Sequence, residues 1–511
     1  MHIRTLFFII LLPLLLTSSI IPRPVEYTPA ARQYKECALS RVRVRTERLC
    51  TKDFRERTAD LPEFARREAY EIRIFPGRTC IQALTPEGEF RARQTLRKIA
   101  LTDSSRLCCT IFDYPRYEHR GLMIDESRSF KGKEFLKKQI DAMALLGLNR
   151  LHLHLTDAAG WRIEIQSHPE LTQKAAWRLG TLYAEWEGKG YPFASEDTPG
   201  AYGGYYSQED LREIVAYAAE RYIEIIPEIE MPGHSMEVNR TFPEIACKDS
   251  TGRSRNFSWD LCPGNEGTFK LLEDVLTEVI SIFPCRYVHI GGDEAVMKDW
   301  GECVNCRRRM QEEGFTEVRQ LQGYLVGRIA RWLSDRGRTA VGWDEILETG
   351  IPGDAVVMSW RGSAGGKKAA ALGHKVIMSP NTHCYFDYYQ DLIRKEPLAV
   401  GELTSLHWVY TYDPGDDPMI MGLQANLWCE KVPTPSHAEY MLYPRLFAIS
   451  EIGWTPGSYK RDPEEFRSRA RTLLDVFRDL GYNTFDMDTE TDFARGGFRR
   501  TQKGEIINPA F

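Results

Sequence analysis

With 511 residues, 42% of them hydrophobic and 27% charged, the chain has material for a large core and a few domains at most. Its formal net charge of -5, with no basic patch on any predicted helix, argues against a nucleic-acid partner. Twelve cysteines in this length are too dilute for a fold built on disulfides.

The chain opens Met1-His2-Ile3-Arg4, continues with an apolar run from Leu6 to Leu16, and then reads Thr17-Ser18-Ser19. A basic start, a short apolar stretch and small residues predict a secretory signal peptide over residues 1–21. The run is short and is interrupted by Pro13, which argues against a membrane span. The expectation is an exported protein, periplasmic or secreted, with no stable span once the signal is removed; an uncleaved anchor is the lesser alternative.

Residues 22–115 read as a small α+β accessory domain. Tyr70–Ile74 and Thr79–Leu84 are strand-like and flank a Pro76-Gly77 turn, and Glu87–Ala100 reads as a helix with Phe90, Leu96 and Ile99 on one stripe. Residues 116–480 change to strand, loop and helix in repetition. Strands are predicted at 121–124, 150–155, 222–229, 287–290, 339–342, 355–359, 375–378 and 421–427. Helices lie between them, as at 133–146, 207–221, 267–282 and 318–336. Such alternation implies parallel β-α units, and eight of them imply a (β/α)8 TIM barrel of the α/β class. Met441–Ile452 and Pro463–Leu480 read as closing helices, and residues 481–511 as a polar C-terminal tail.

Polar and aromatic residues gather where these strands end. Arg128 follows the first strand and Asp157 the second, while Glu228, Glu230 and His234 mark the third. Asp293 and Glu294 end the fourth, behind Gly291-Gly292. Trp343 ends the fifth and Trp360 the sixth; Tyr385 and Asp387 follow the seventh, and Trp428 and Glu430 the eighth. Barrel enzymes build their active sites at this rim. Several carboxylates, several tryptophans and no phosphate loop suit a carbohydrate, whose C–H faces pack on aromatic rings and whose hydroxyls need charged partners. Two adjacent carboxyls also push their pKa values apart, which suits unequal roles in acid catalysis.

The run His289-Ile290-Gly291-Gly292-Asp293-Glu294 resembles the signature of glycoside hydrolase family 20, the exo-acting β-N-acetylhexosaminidases. Arg120–Asp125 with Ser127-Arg128 resembles that family's first barrel strand. His152–Asp157 with Gly160–Ile165 resembles its second, Pro227–His234 its third, and Gly422–Glu430 its eighth. The region before the barrel, Ala83–Ala100 above all, is similar to its accessory domain. The resemblance implies a retaining enzyme that releases terminal, non-reducing, β-linked GlcNAc or GalNAc from glycans, with no cofactor and no metal. Glu294 would be the general acid and base. Asp293 would orient the substrate's own 2-acetamido group, which attacks in place of an enzyme carboxylate. Tyr385 would donate to the acetamido oxygen, Trp343, Trp360 and Trp428 would wall the sugar, and Arg128 and Glu430 would hold its hydroxyls with help from Asp387. Asp157 and His234 would tune Glu294.

Two positions depart from the family pattern: Ser129-Phe130 stands where a His is common, and Ala158-Ala159 where a second Asp and a polar residue are usual. Two other readings compete. His152, His154, His234 and His289 could ligate the ion of a metal-dependent barrel hydrolase, or the pocket could bind N-acetylhexosamine without cleaving it. Cys303-Val304-Asn305-Cys306 has zinc-ligand spacing, but with no second such pair in the sequence a structural disulfide or two free thiols is the expectation there.

Overall fold

Five strands precede the barrel: β1 (Glu26–Pro29), β2 (Arg43–Thr46), β3 (Tyr70–Phe75), β4 (Arg78–Ala83) and β5 (Cys109–Asp113). They form one sheet in the order β1-β5-β3-β4-β2. Helix α1 (Pro86–Thr102) packs on it through Ala92, Leu96 and Ile99, which meet Ile72, Ile74 and Ile81 of the sheet in one buried cluster. The structure is a computed structural model and describes residues 20–29, 43–46, 51–75, 77–102, 108–255, 257–459, 462–491 and 494–495. The leader up to residue 19 lies outside these, and among them no helix is long and apolar enough to cross a membrane. Ile20 and Ile21, assigned by the sequence to the leader, belong to the folded body instead. Both are buried, and their carbonyls accept hydrogen bonds from Arg469 and Lys98.

The barrel strands are β6 (His119–Asp125), β7 (Arg150–His154), β8 (Glu224–Met231), β9 (Tyr287–Gly291), β10 (Thr339–Trp343), β11 (Val356–Ser359), β12 (Val376–Met378) and β13 (Ile420–Leu427). They close in sequence order, β13 pairing with β6, and every pairing in the ring is parallel. Each strand therefore falls within a few residues of its predicted range. Outward-facing aliphatic residues such as Leu122, Leu151, Leu153, Val288 and Ile290 pack beneath the surrounding helices. The interior is more polar than a parallel strand normally permits. Gln424 bonds to His119, His152 and Asn426, so the buried amide is satisfied by polar neighbours inside the barrel.

One expectation needs correction. The single closing helix expected over Met441–Ile452 is two, Pro435–Leu442 and Arg445–Trp454. They part at Tyr443-Pro444, because proline lacks the N–H that would continue the ladder and its ring crowds the preceding turn. Of the two alternatives expected at Cys303-Val304-Asn305-Cys306, a disulfide or free thiols, the structure shows the free thiols. Cys303 and Cys306 are both free and buried, as is each of the other described cysteines. The described part of the tail forms no strand; Tyr482, Phe485 and Met487 bury against the barrel's outer helices.

The accessory sheet and α1 meet the barrel where its strands begin. Arg120, at the start of β6, donates to Glu68 Oε2 at 2.6 Å, and Arg91 of α1 reaches the same oxygen at 2.8 Å. All three side chains are buried. One carboxylate thus neutralises two guanidiniums taken out of water, and its charged form is favoured by them against the cost of burial. Replacing Glu68 by Gln strands the buried Arg120 and leaves Arg91 with Glu87 alone, and should destabilise the chain by about 3–5 kcal/mol. Chemical denaturation followed by tryptophan fluorescence measures this; a stability loss below about 1 kcal/mol would contradict the account.

Candidate active site

The opposite rim, where the strands end, carries the polar residues. Strand β9 stops at Gly291, and both Gly291 and Gly292 take positive φ, +63° and +96°. A Cβ on Gly291 would sit 1.8 Å from Glu230 Oε1, and one on Gly292 would sit 2.4 Å from Ile346. Only glycine fits both the backbone and the space. Glu294 itself adopts φ +44°, a conformation rare outside glycine and held here by its surroundings. The turn buries Asp293, which is 8% exposed, and leaves the Glu294 side chain 59% exposed.

Asp293 and Glu294 open onto a cavity of roughly 200 Å³. It is lined by Arg128, His234, Trp343, Trp360, Tyr385, Asp387, Trp428 and Glu430. Every sequence-predicted site residue except Asp157 thus reaches one pocket. Asp157 lies beneath it, with Oδ2 2.7 Å from Arg128 Nη2, 3.2 Å from His154 Nε2 and 3.3 Å from His234 Nδ1. On its other side, His234 Nε2 is 3.3 Å from Glu294 and 3.7 Å from Asp293.

The result is a file of alternating charges from barrel interior to rim: Glu228, His154, Asp157, His234, Glu294. Glu228 stands at the inner end. It contacts His154 Nδ1, His152 Nε2 at 3.1 Å and His289 Nδ1 at 2.7 Å, and it accepts from Trp343 Nε1 at 3.0 Å. Burial works against each charge, but the neighbours outweigh it. Against burial, Glu228 and Asp157 raise His154 to about 10. The pull of Arg128 and His234 overcomes burial at Asp157 and holds it ionised far below its usual range. Asp157 and the two rim carboxyls in turn hold His234 as imidazolium well above its ordinary value. Contact with His234 then lowers Glu294, so the resting rim carboxyl is ionised. His152, which burial depresses to about 4, stays neutral. Of the four histidines weighed as metal ligands, His152, His154 and His289 converge on Glu228 in the interior, and His234 alone lines the pocket.

Asp293 differs from its neighbour. Burial raises it, Glu228 adds to the rise, and His234 opposes it. Glu230 is raised well above the carboxylate range by burial and by the charge on Asp293, which favours the neutral form that can donate to Asp293. Its Oε1 also accepts the N–H of Gly292 at 3.2 Å. Glu230 was noticed at its strand end but not assigned to the site. The signal was its spacing: two residues past Glu228, it shares that residue's face of the strand. Glu345 was missed altogether. It accepts from Trp360 Nε1 at 2.9 Å and is pushed up to about 8 by burial and by Asp293. Tyr388 and Val400 complete the lining and were likewise unassigned.

Trp360 stacks on Tyr385 with ring centroids 6.1 Å apart, and Tyr385 and Trp343 both adjoin Trp428. Trp343, expected as a wall, is 1% exposed and forms more of a floor. Arg128 lies over the Trp428 ring, 5.0 Å from its centroid, and 3.6 Å from Glu430. The loop bearing Tyr385, Asp387 and Tyr388 is tied from below by the buried Arg445, whose guanidinium donates to the carbonyls of Phe386, Tyr388, Thr404 and Met441.

The two departures in sequence also have structural partners. Ala158 and Ala159 are buried against Trp186 and Met236, with Tyr191, Phe193 and Trp259 around them. Polar side chains there would need hydrogen bonds that this apolar cluster does not offer. Ser129 donates to the Cys429 carbonyl, and Phe130 packs on Tyr206.

Comparison with known proteins bears on this geometry. Residues 117–457 match the model of glycosyl hydrolase family 20, catalytic domain. A beta-hexosaminidase of Porphyromonas gingivalis is 38% identical over 425 residues, 79% of this chain and 52% of that one. Another, from Vibrio furnissii, is 36% identical over 73% of this chain and 63% of its own length. The chain thus spans about half to just under two thirds of these two relatives. The crystal structure of an exo β-N-acetylglucosaminidase of family 20 from Vibrio harveyi, in complex with N-acetylglucosamine, superposes with a TM-score of 0.76 at 28% identity. The match covers 91% of this chain and 78% of that one.

The charge file has a consequence for stability. Folding favours charged His234, so that contribution is complete below about pH 6.5 and fades as pH rises through the elevated native value. Folding favours ionised Asp157, so its contribution is complete above about pH 3.9 and is lost only as pH falls through its depressed native value. Melting temperature should therefore be highest between about pH 4 and 6.5, and Asp157→Asn should flatten that maximum. A pH series of thermal melts on both proteins checks this; an unchanged profile in the variant would disprove it.

Proposed function

The chain belongs to glycosyl hydrolase family 20, and on that premise we propose that it is an exo-acting, retaining β-N-acetylhexosaminidase that releases terminal β-linked GlcNAc or GalNAc from glycans. The observation that carries this reading is the Asp293-Glu294 turn: two adjacent carboxyls, one buried beside Glu230 and one open to solvent beside His234. A cavity of about 200 Å³ has room for one sugar ring and little more, which supports exo action.

In this mechanism the acetamido oxygen of the bound sugar attacks its own anomeric carbon while the glycosidic C–O bond breaks. Glu294 gives its proton to the departing oxygen. Asp293 accepts a hydrogen bond from the acetamido N–H and offsets the positive charge of the cyclic intermediate, and Tyr385 donates to the acetamido oxygen. Water then attacks the anomeric carbon, returns a proton to Glu294 and reopens the ring. Two inversions restore the original configuration.

The resting ion pair poses a question, because a general acid must start protonated. His234 supplies the answer. Its imidazolium stores the proton 3.3 Å from Glu294. An entering leaving group covers the exposed Glu294 side chain, and loss of water favours the neutral carboxyl, drawing the proton across. Arg128 and Glu430 hold ring hydroxyls, Asp387 assists them, and the tryptophans pack on the sugar. The apolar leader supports export before action, the mature chain beginning no later than Ile20, since Ile20 and Ile21 are buried; amino-terminal sequencing of the exported protein tests this.

Glu294→Gln should slow cleavage of glycosides with poor leaving groups by about 10²–10⁴-fold and leave sugar affinity largely intact. Steady-state kinetics on a disaccharide and an activated aryl glycoside measure the split, and parental rates on the disaccharide would exclude Glu294 as the acid. Replacing the 2-acetamido group by hydroxyl should reduce turnover by a factor on the order of 10³ or more. Equal turnover of the plain β-glucoside would remove substrate assistance from the scheme.

A further inference from the structure

Four cysteines far apart in sequence meet in one dry cluster beside the pocket. Cys247 and Cys262 lie on the long connection after β8, while Cys303 and Cys306 open the helix Val304–Glu313 after β9. All four are fully buried, and their sulfurs lie within 4.8 Å of one another. Cys262 Sγ is 3.5 Å from Cys306 and 3.7 Å from Cys303, and Cys247 Sγ is 4.0 Å from Cys306. None is bonded to another. A disulfide would need about 2.05 Å. The edge of a tetrahedron of sulfurs around zinc, with Zn–S bonds of about 2.3 Å, is about 3.8 Å. The measured spacings straddle that edge.

The surroundings suit thiolates. The Lys248 N–H points at Cys303 Sγ from 3.3 Å. Cys303 is the cap of its helix and Cys306 lies in the first turn, where unpaired amides favour negative sulfur. Gly264, two residues past Cys262, lets the two chains meet: a Cβ there would stand 2.3 Å from the Cys306 nitrogen. Trp300 and Leu321 seal the cluster from water.

We propose that Cys247, Cys262, Cys303 and Cys306 bind one zinc ion as a structural tetrathiolate site. Binding replaces up to four S–H bonds by four Zn–S bonds and releases as many protons, with no change in oxidation state. The site joins the connection after β8 to the one after β9. Two residues before Cys262, the Asp260 carboxylate accepts the N–H groups of Val296 and Met297, the second and third residues after Glu294. Trp300 Nε1 donates to the Leu261 carbonyl. The metal therefore pins the segment that positions Glu294 without touching the sugar. Chelator-sensitive activity would then report a scaffold and not a catalytic ion.

The test is elemental analysis and X-ray absorption on the full chain, purified after expression with zinc and again after incubation with excess zinc. One zinc per chain, with sulfur as the sole ligand type at about 2.3 Å, is the expected result. Cys262→Ser and Cys306→Ser should lose the ion, melt at lower temperature and lose turnover. Glu294→Gln and Cys80→Ala should each keep a full equivalent. A chain that holds no zinc after both treatments, or a mass spectrum with a disulfide among these four residues, would overturn the proposal. So would nitrogen or oxygen ligands in place of sulfur.

Discussion

The molecule depends on the alternation of charge from Glu228 through His154, Asp157 and His234 to Glu294. Each of these groups would be costly to bury alone, because moving an unpaired ion into a protein costs several kcal/mol. Together they let a charged, water-exposed carboxylate at the rim communicate with the interior of a closed barrel. Arg128 is the branch point: it holds Asp157 beneath the pocket and reaches Glu430 in its lining, so the file and the pocket wall share one cation. The same file explains why the barrel interior is polar. His152, His289 and Trp343 surround Glu228 because its carboxylate needs donors on every side.

Stability and chemistry occupy opposite ends of the barrel. At the strand starts, Glu68 bridges Arg91 and Arg120 and fastens the accessory sheet. At the strand ends, long connections replace tight ones, and the carboxyls crowd close enough to shift one another. Burial raises both Glu230 and Asp293, and the charge on Asp293 raises Glu230 further.

The barrel was legible in the sequence because each strand is an aliphatic run that ends in a polar or aromatic residue, and that pattern is local. The rim residues were legible for the same reason. What escaped depends on contacts between distant segments. Glu230 could not be paired with Asp293 until β8 and β9 lay side by side, and Glu345 shows itself only through Trp360. Trp343 carried the aromatic signature of a sugar wall, yet Glu228 claims its indole from below. The cysteines failed as a motif because Cys247 and Cys262 stand too far apart to form a recognisable pair, while the connections after β8 and β9 bring them to Cys303 and Cys306. The break at Tyr443-Pro444 was written in the sequence and passed over in favour of an apolar run.

Arg445 grips the loop of Tyr385, Asp387 and Tyr388 solely through main-chain oxygens. An anchor of that kind is blind to what the loop displays. Side chains there can be exchanged without loosening the mount, so the position of this wall is set separately from the groups it presents to the cavity.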